Sequence, residues 1–117
     1  MRNSLKPFEG FRYTYIAEFD RFGKVVVSGK EYKTVLLIDL KNIFGDYVCD
    51  HVWIREGKKF NKLNLNKGDK VQFTAVVKKY QHFKKDNKNI DYRLIHLYDI
   101  KKITWLFNNN MLLLLLL

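Results

Sequence analysis

The segment EGKKFNKLNLNKGD, Glu56 to Asp69, decides the fold because it interrupts a chain that otherwise has strand character. Phe60, Leu63 and Leu65 have helix-compatible spacing, while the asparagines favour one short helical turn over a long helix. The closing Lys-Gly-Asp predicts a turn into the next strand. The segment therefore predicts a short helix or loop between two groups of strands.

Three strands are predicted before this segment and two after it, from aromatic and β-branched content or from alternation of apolar and polar residues. The predicted strands are Phe11 to Val27, Thr34 to Leu40, Tyr47 to Arg55, Lys70 to Tyr80 and Asp91 to Ile100. Gly23 interrupts the first one, which predicts a long strand with a glycine bend or bulge.

This order predicts an all-β fold, the OB-fold, which is a five-stranded Greek-key barrel with a short helix or loop between strands three and four. An SH3-like barrel is the alternative, and the segment after strand three favours the OB-fold. The predicted organisation is an N-terminal extension over 1–10, the barrel over 11–104 and an apolar C-terminal tail over 105–117.

Composition favours a polyanionic partner. The chain of 117 residues carries a net charge of +10, and 15% of its residues are aromatic. Nucleic acid is the first expectation and an anionic membrane surface the second. The alternative is a basic surface that only keeps the chain in solution.

The same composition bears on location. Cys49 is the only cysteine, so no internal disulfide can form and a reducing, cytoplasmic location is expected. Met111 and the leucines 112–117 are too short a run to span a bilayer, which needs about 20 apolar residues.

The stretch VKKYQHFKKDNKNIDYR, Val77 to Arg93, interleaves lysines with aromatic rings. Lysines can follow a phosphate backbone, and rings can stack on unpaired bases. Because a duplex offers no free base faces, the interleaving favours single strands. The candidate contacts are Lys78, Tyr80, Phe83, Lys84, Lys85, Lys88, Tyr92 and Arg93. The alternative is that Tyr80 and Tyr92 pack inward while the lysines are merely solvated.

Strand three supplies a second candidate surface. If Val48, Val52 and Ile54 face the core, the other face presents the stacking platform of Tyr47, His51, Trp53 and Arg55. Asp50 fits this assignment poorly, and the reverse assignment, with Trp53 in the core, stays open. The loop after strand one adds three more candidates, Lys30, Tyr32 and Lys33.

Catalysis, a bound cofactor and a metal site are not expected. The histidines are scattered, and Cys49-Asp50-His51 lacks the second ligand pair of a zinc site. No phosphate-binding glycine motif is present. Cys49 and His51 could form a thiol–imidazole pair on one side of a strand, but a structural cysteine is favoured.

The chain resembles the small single-domain OB-type nucleic-acid-binding proteins of bacteria and their mobile elements. The residues that carry the resemblance are TYIAEFDRFG, KTVLLIDL, DHVWI and NKGDKVQFTAVVKKY, within Tyr13 to Ile103. The resemblance implies oligonucleotide contacts on strands two and three and on the loops after strands one and four.

These observations predict a sequence-tolerant protein that binds single-stranded DNA or RNA and is not an enzyme. One alternative is an adaptor or inhibitor that docks on a nucleoprotein complex, with the apolar tail as an anchor. A further alternative is a ribonucleoprotein subunit that binds one folded RNA.

Overall fold

The chain forms five strands and two 3₁₀ helices in a computed structural model, which describes residues 3–84 and 87–103. The strands are β1 Arg12–Val27, β2 Lys30–Asn42, β3 Tyr47–Ile54, β4 Lys70–Lys84 and β5 Asn87–Ile103. The 3₁₀ helices are Asn3–Phe8 and Gly57–Leu63. The all-β class and the predicted order of three strands, short helix and two strands are confirmed.

The strands form one antiparallel sheet in the order β3-β2-β1-β4-β5. The long β1 lies at the centre, and its first half pairs with β4 while most of its length pairs with β2. The β1–β2 register shifts between Ile16 and Glu18 and again between Phe19 and Arg21. Such bulges increase the local twist of a sheet.

The sequence predicts a bend or bulge at Gly23, but the irregularities of β1 lie at other residues. Gly23 pairs in register with Thr34, and both register shifts occur nearer the start of β1. A β-carbon at Gly23 would lie 3.0 Å from Cζ3 of Trp53 and 3.0 Å from Oγ1 of Thr34. The close approach of an indole ring, and not a bend, therefore favours glycine at this position.

The core lies between one face of the sheet and the two 3₁₀ helices. Val35, Leu37, Val52 and Ile54 supply the β2 and β3 part of the core, and all are inaccessible to solvent. The fully buried Phe60 and Leu5 come from the two 3₁₀ helices. Residues 3–8, which sequence assigns to an extension, therefore contribute to the core. This burial is the main stabilising force of the fold.

A carboxylate joins the two outer strands of the sheet. Glu56, which follows β3, accepts hydrogen bonds from the backbone N–H groups of His96 (2.7 Å) and Leu97 (3.1 Å) in β5. Lys59 Nζ donates to the Leu97 carbonyl at 2.8 Å and pairs with Glu56. His96 has a φ of 53° at a register shift of β5. Glu56 thus satisfies N–H groups that the bulge removes from the ladder.

The predicted turn before β4 is confirmed. Gly68 has a φ of 96°, and its N–H donates to the Phe19 carbonyl at 2.9 Å. The Asp69 carboxylate accepts the Asn66 N–H at 2.8 Å and lies 3.1 Å from Lys102 Nζ. The Asn66 N–H and then Lys102 lower the pKa of Asp69, because both favour its ionised form.

Candidate nucleic-acid interface

A cleft of about 560 Å³ lies between the second half of β1, the end of β3 and the β4–β5 pair. We name it the aromatic cleft. Its lining residues are Gly23, Lys24, Val25, Thr34, Trp53, Arg55, Glu56, Tyr80, Arg93, Leu94 and Ile95.

Trp53 forms one wall of the aromatic cleft. Alternation along β3 buries Val52 and Ile54 and leaves Trp53 40% exposed. The guanidinium carbon of Arg21 lies 5.7 Å from the centroid of the indole, within the range of a cation–π contact. The register places Leu36 between Arg21 and Trp53 across the three strands. This wall therefore consists of an accessible indole ring whose neighbour on β2 is the buried Leu36.

Tyr80 also lines the aromatic cleft. It is half-buried, and the guanidinium carbon of Arg93 lies 5.1 Å from the centroid of its ring. Arg93 Nε is buried and has no hydrogen-bond partner within the described part of the chain. Buried donors are normally satisfied, so an acceptor supplied by a ligand would complete this part of the cleft.

The charge in the aromatic cleft is positive. Lys24, Arg55 and Arg93 contribute three cations, and Glu56 is the one acid among the lining residues. Its carboxylate is occupied by the β5 backbone and by Lys59. The arrangement offers two rings to a flat, polarisable group and cations to an anionic group beside it.

The structure brings four of the predicted contacts together in the aromatic cleft: Trp53, Arg55, Tyr80 and Arg93. Lys78 lies opposite Arg93 in the β4–β5 ladder. Tyr32 pairs with Val25, and Lys30 Nζ lies 5.1 Å from the Tyr32 ring, so this hairpin extends the same surface.

Other predicted contacts lie apart from the aromatic cleft. Lys33 Nζ lies 3.9 Å from the centroid of the Phe22 ring and is hydrogen-bonded to Asn61, on the side of β2 opposite Thr34. Tyr47 and His51 are exposed on β3 but do not line the aromatic cleft. Of the four residues of the predicted stacking platform, only Trp53 and Arg55 line the aromatic cleft.

The structure corrects the role predicted for Tyr92. Tyr92 is only 5% exposed and belongs to the core cluster, whereas its neighbour Arg93 lines the aromatic cleft. Tyr92 therefore has no face for a base. Lys85 and the side chains of Phe83, Lys84 and Lys88 lie outside the described residues.

The difficulty posed by Asp50 is explained by the β2–β3 register. The pairing shifts between Leu40 and Lys41, so that Val48 and Cys49 are both buried and Asp50 is exposed. The Cys49 thiol donates to the His51 carbonyl at 3.6 Å, while the His51 imidazole lies 3.2 Å from Asp50. This geometry does not form the conceivable thiol–imidazole pair.

Sequence reasoning missed Arg21, Gly23 and Lys24 as parts of the site. A glycine inside a strand can indicate a bulge or a close approach of another group, and here the second meaning applies. Arg21 and Lys24 carry no comparable signal, because their proximity to Trp53 depends on the register between strands.

Three comparisons, with protein-family models, with curated proteins and with solved structures, found no match. Within residues 3–84 and 87–103, no helix is long and apolar enough to cross a membrane. The same residues contain no group of three or more His, Cys, Asp or Glu side chains placed to hold a metal ion.

Proposed function

We propose that this chain binds single-stranded nucleic acid in the aromatic cleft and that its sheet closes as an OB-type barrel. The observation that carries the proposal is that Trp53 and Tyr80 line the same cleft, each with an arginine against its ring. Unpaired bases stack on such rings with a gain of about 1–3 kcal/mol per base. Arginine and lysine beside them neutralise phosphates and release counterions.

Four features support the OB-type barrel. The order β3-β2-β1-β4-β5 makes β3 and β5 the free edges of the sheet. The central β1 serves both halves, and a short helix follows β3. Glu56 connects the end of β3 to β5.

Single strands suit the aromatic cleft better than a duplex does. Stacking on Trp53 or Tyr80 needs a base with a free face, and paired bases already stack on their neighbours. The proposal is of a binding protein that is not an enzyme and uses no cofactor. Adaptor, inhibitor and ribonucleoprotein roles remain the alternative proposals.

The proposal is tested by fluorescence anisotropy with labelled DNA and RNA of about 20 nucleotides, longer than the ~4–16 nucleotides that one OB domain occupies. A duplex of the same length is titrated in parallel, at two salt concentrations. We expect tighter binding of the single strands and a steep loss of affinity with salt. Equal affinity for the duplex would contradict the stacking argument.

Variants separate the two contributions. Trp53→Ala and Tyr80→Ala should each weaken binding by about 5–150-fold with little change in salt slope. Arg55→Gln should lower the slope by about 0.7, the value for one phosphate of a single strand. Phe44→Ala is the matched control, since Phe44 is 87% exposed and lies outside the aromatic cleft. Equal effects of Trp53→Ala and Phe44→Ala would refute the proposed site.

A further inference from the structure

A second groove lies at the start of β1, whereas the aromatic cleft borders the second half of that strand. It has a volume of about 530 Å³. We name it the terminal groove. The lining residues used below are Phe8, Arg12, Tyr13, Tyr15, Phe44 and Tyr98.

Large aromatic rings are exposed around the terminal groove. Tyr13 is 43% exposed, Tyr98 48% and Phe44 87%. The rings of Phe8 and Tyr13 meet edge to face with centroids 5.1 Å apart. Grouped exposed apolar rings of this kind mark interaction surfaces, whereas single exposed ones need no explanation.

The β2–β3 turn that carries Phe44 is internally ordered. Asn42 Oδ1 accepts the N–H groups of Phe44 (2.9 Å) and Asp46 (3.0 Å), and the Asn42 N–H donates to the Asp46 carbonyl at 2.9 Å. A ring on a preorganised turn loses little backbone entropy on binding. The exposed Phe44 is therefore held ready for a partner.

Two polar groups complete the terminal groove. The Arg12 guanidinium carbon lies 5.2 Å from the centroid of the Tyr98 ring, so a cation stands beside the exposed rings. Tyr15 is only 2% exposed, and its hydroxyl has no hydrogen-bond partner among the described residues. Burial raises the pKa of Tyr15 to about 12, so its hydroxyl keeps its proton at neutral pH. Such a donor indicates that an acceptor is missing.

From these observations we infer that the terminal groove docks a peptide segment of a partner protein, with a large apolar side chain among the rings and a carboxylate on Arg12. Nucleic acid is disfavoured here, because Arg12 is the one cation in the lining and a phosphate backbone is held by several. A second copy is disfavoured because it would bring the same net charge of +10.

The test is an amide NMR titration of the full chain with acetyl-Glu-Phe-Leu-amide at millimolar concentration. Acetyl-Lys-Phe-Leu-amide and acetyl-Glu-Ala-Ala-amide are the matched probes that lack the carboxylate and the large side chains. We expect shifts at Tyr13, Thr14 and Phe44 with the first peptide. Affinity should fall about tenfold in Phe44→Ala and about fivefold in Arg12→Gln.

Several results would overturn the inference. These are no shift at millimolar peptide, equal affinity for the lysine probe, or shifts confined to the aromatic cleft. A concentration-dependent dimer that Phe44→Ala dissociates would make a second copy the occupant instead. Trp53→Ala is the control and should bind the peptide as the wild type does. Because Phe44→Ala should leave oligonucleotide affinity unchanged, failure here is distinguishable from failure of the proposed function.

Discussion

Removing the Glu56 carboxylate should destabilise the fold more than removing a charged side chain that is exposed to solvent. Glu56 accepts the N–H groups of His96 and Leu97 at 2.7 and 3.1 Å, and its side chain is 25% exposed. Both N–H groups belong to an edge strand, β5, and Glu56→Ala leaves them without this acceptor. The Lys59 contact with the Leu97 carbonyl does not replace it, because lysine only donates.

The magnitude follows from these contacts. A hydrogen bond to a charged group contributes about 1.5–3 kcal/mol, and water recovers part of that at the exposed His96 N–H. The ion pair with Lys59 adds little, since Lys59 is 47% exposed. We therefore expect Glu56→Ala to lower the free energy of unfolding by about 2–3 kcal/mol. Glu56→Gln keeps one carbonyl oxygen and should cost about 1 kcal/mol.

Urea unfolding followed by tryptophan fluorescence measures both values. Glu31→Gln is the matched control, because Glu31 lies 3.7 Å from Lys24 with both side chains mostly exposed, and it should stay within about 0.5 kcal/mol of wild type. If Glu56→Ala costs no more than the control, the reasoning that the carboxylate joins β3 to β5 is refuted. Amide NMR shifts at His96 and Leu97 give an independent check.

Three further predictions concern single side chains. Gly23→Ala should displace the Trp53 ring, shift its emission and weaken oligonucleotide binding about fivefold, whereas unchanged emission would contradict the close approach. Tyr15→Phe should be at least as stable as wild type at neutral pH, because the Tyr15 hydroxyl has no hydrogen-bond partner among the described residues. The pKa of Tyr15 is about 12 in the folded state and 10.0 in the unfolded state, so raising the pH from 10 to 12 should destabilise wild type relative to this variant by up to about 3 kcal/mol. Urea unfolding of both chains across this pH range measures the difference. The Asn66 N–H and Lys102 lower the pKa of Asp69 in the folded state, so the ionised carboxylate stabilises wild type and this contribution is lost as the pH falls below 3.8. Asp69→Asn should lack this contribution at every pH. Parallel acid titrations of both chains test the difference.

Much of the secondary structure could be predicted from local patterns. The alternation in β4 and the aromatic and β-branched runs of β1 to β3 place four of the five strands, since side chains along a strand alternate between two faces. The glycine of Lys67-Gly68-Asp69 predicts the turn before β4, because its positive φ strains other residues. The 3₁₀ helix at Asn3–Phe8 was not predicted. Its buried residue, Leu5, becomes part of the core only through packing against distant strands, which a local sequence pattern does not show.

The candidate site could be predicted only in part. The β3 pattern left two face assignments open, and the structure buries Val52 and Ile54 and exposes Trp53. The burial of Tyr92 depends on which face of β5 meets the core, and a strand with bulges near His96 and Asp99 does not keep a simple alternation. The charge-rich stretch from Val77 to Arg93 therefore indicates candidate nucleic-acid contacts, but it does not show which of their side chains are buried.

The strands, the short helix between β3 and β4, the basic charge and the aromatic surplus can be read from the sequence, because each depends on residues close together in the chain. Only the folded chain shows that Trp53 and Tyr80 line one cleft, that Gly23 lies against an indole, and that Glu56 binds the backbone of β5. Those relations join residues that are distant in sequence. They depend on strand register and bulges, and a shift of one residue would turn each side chain to the other face.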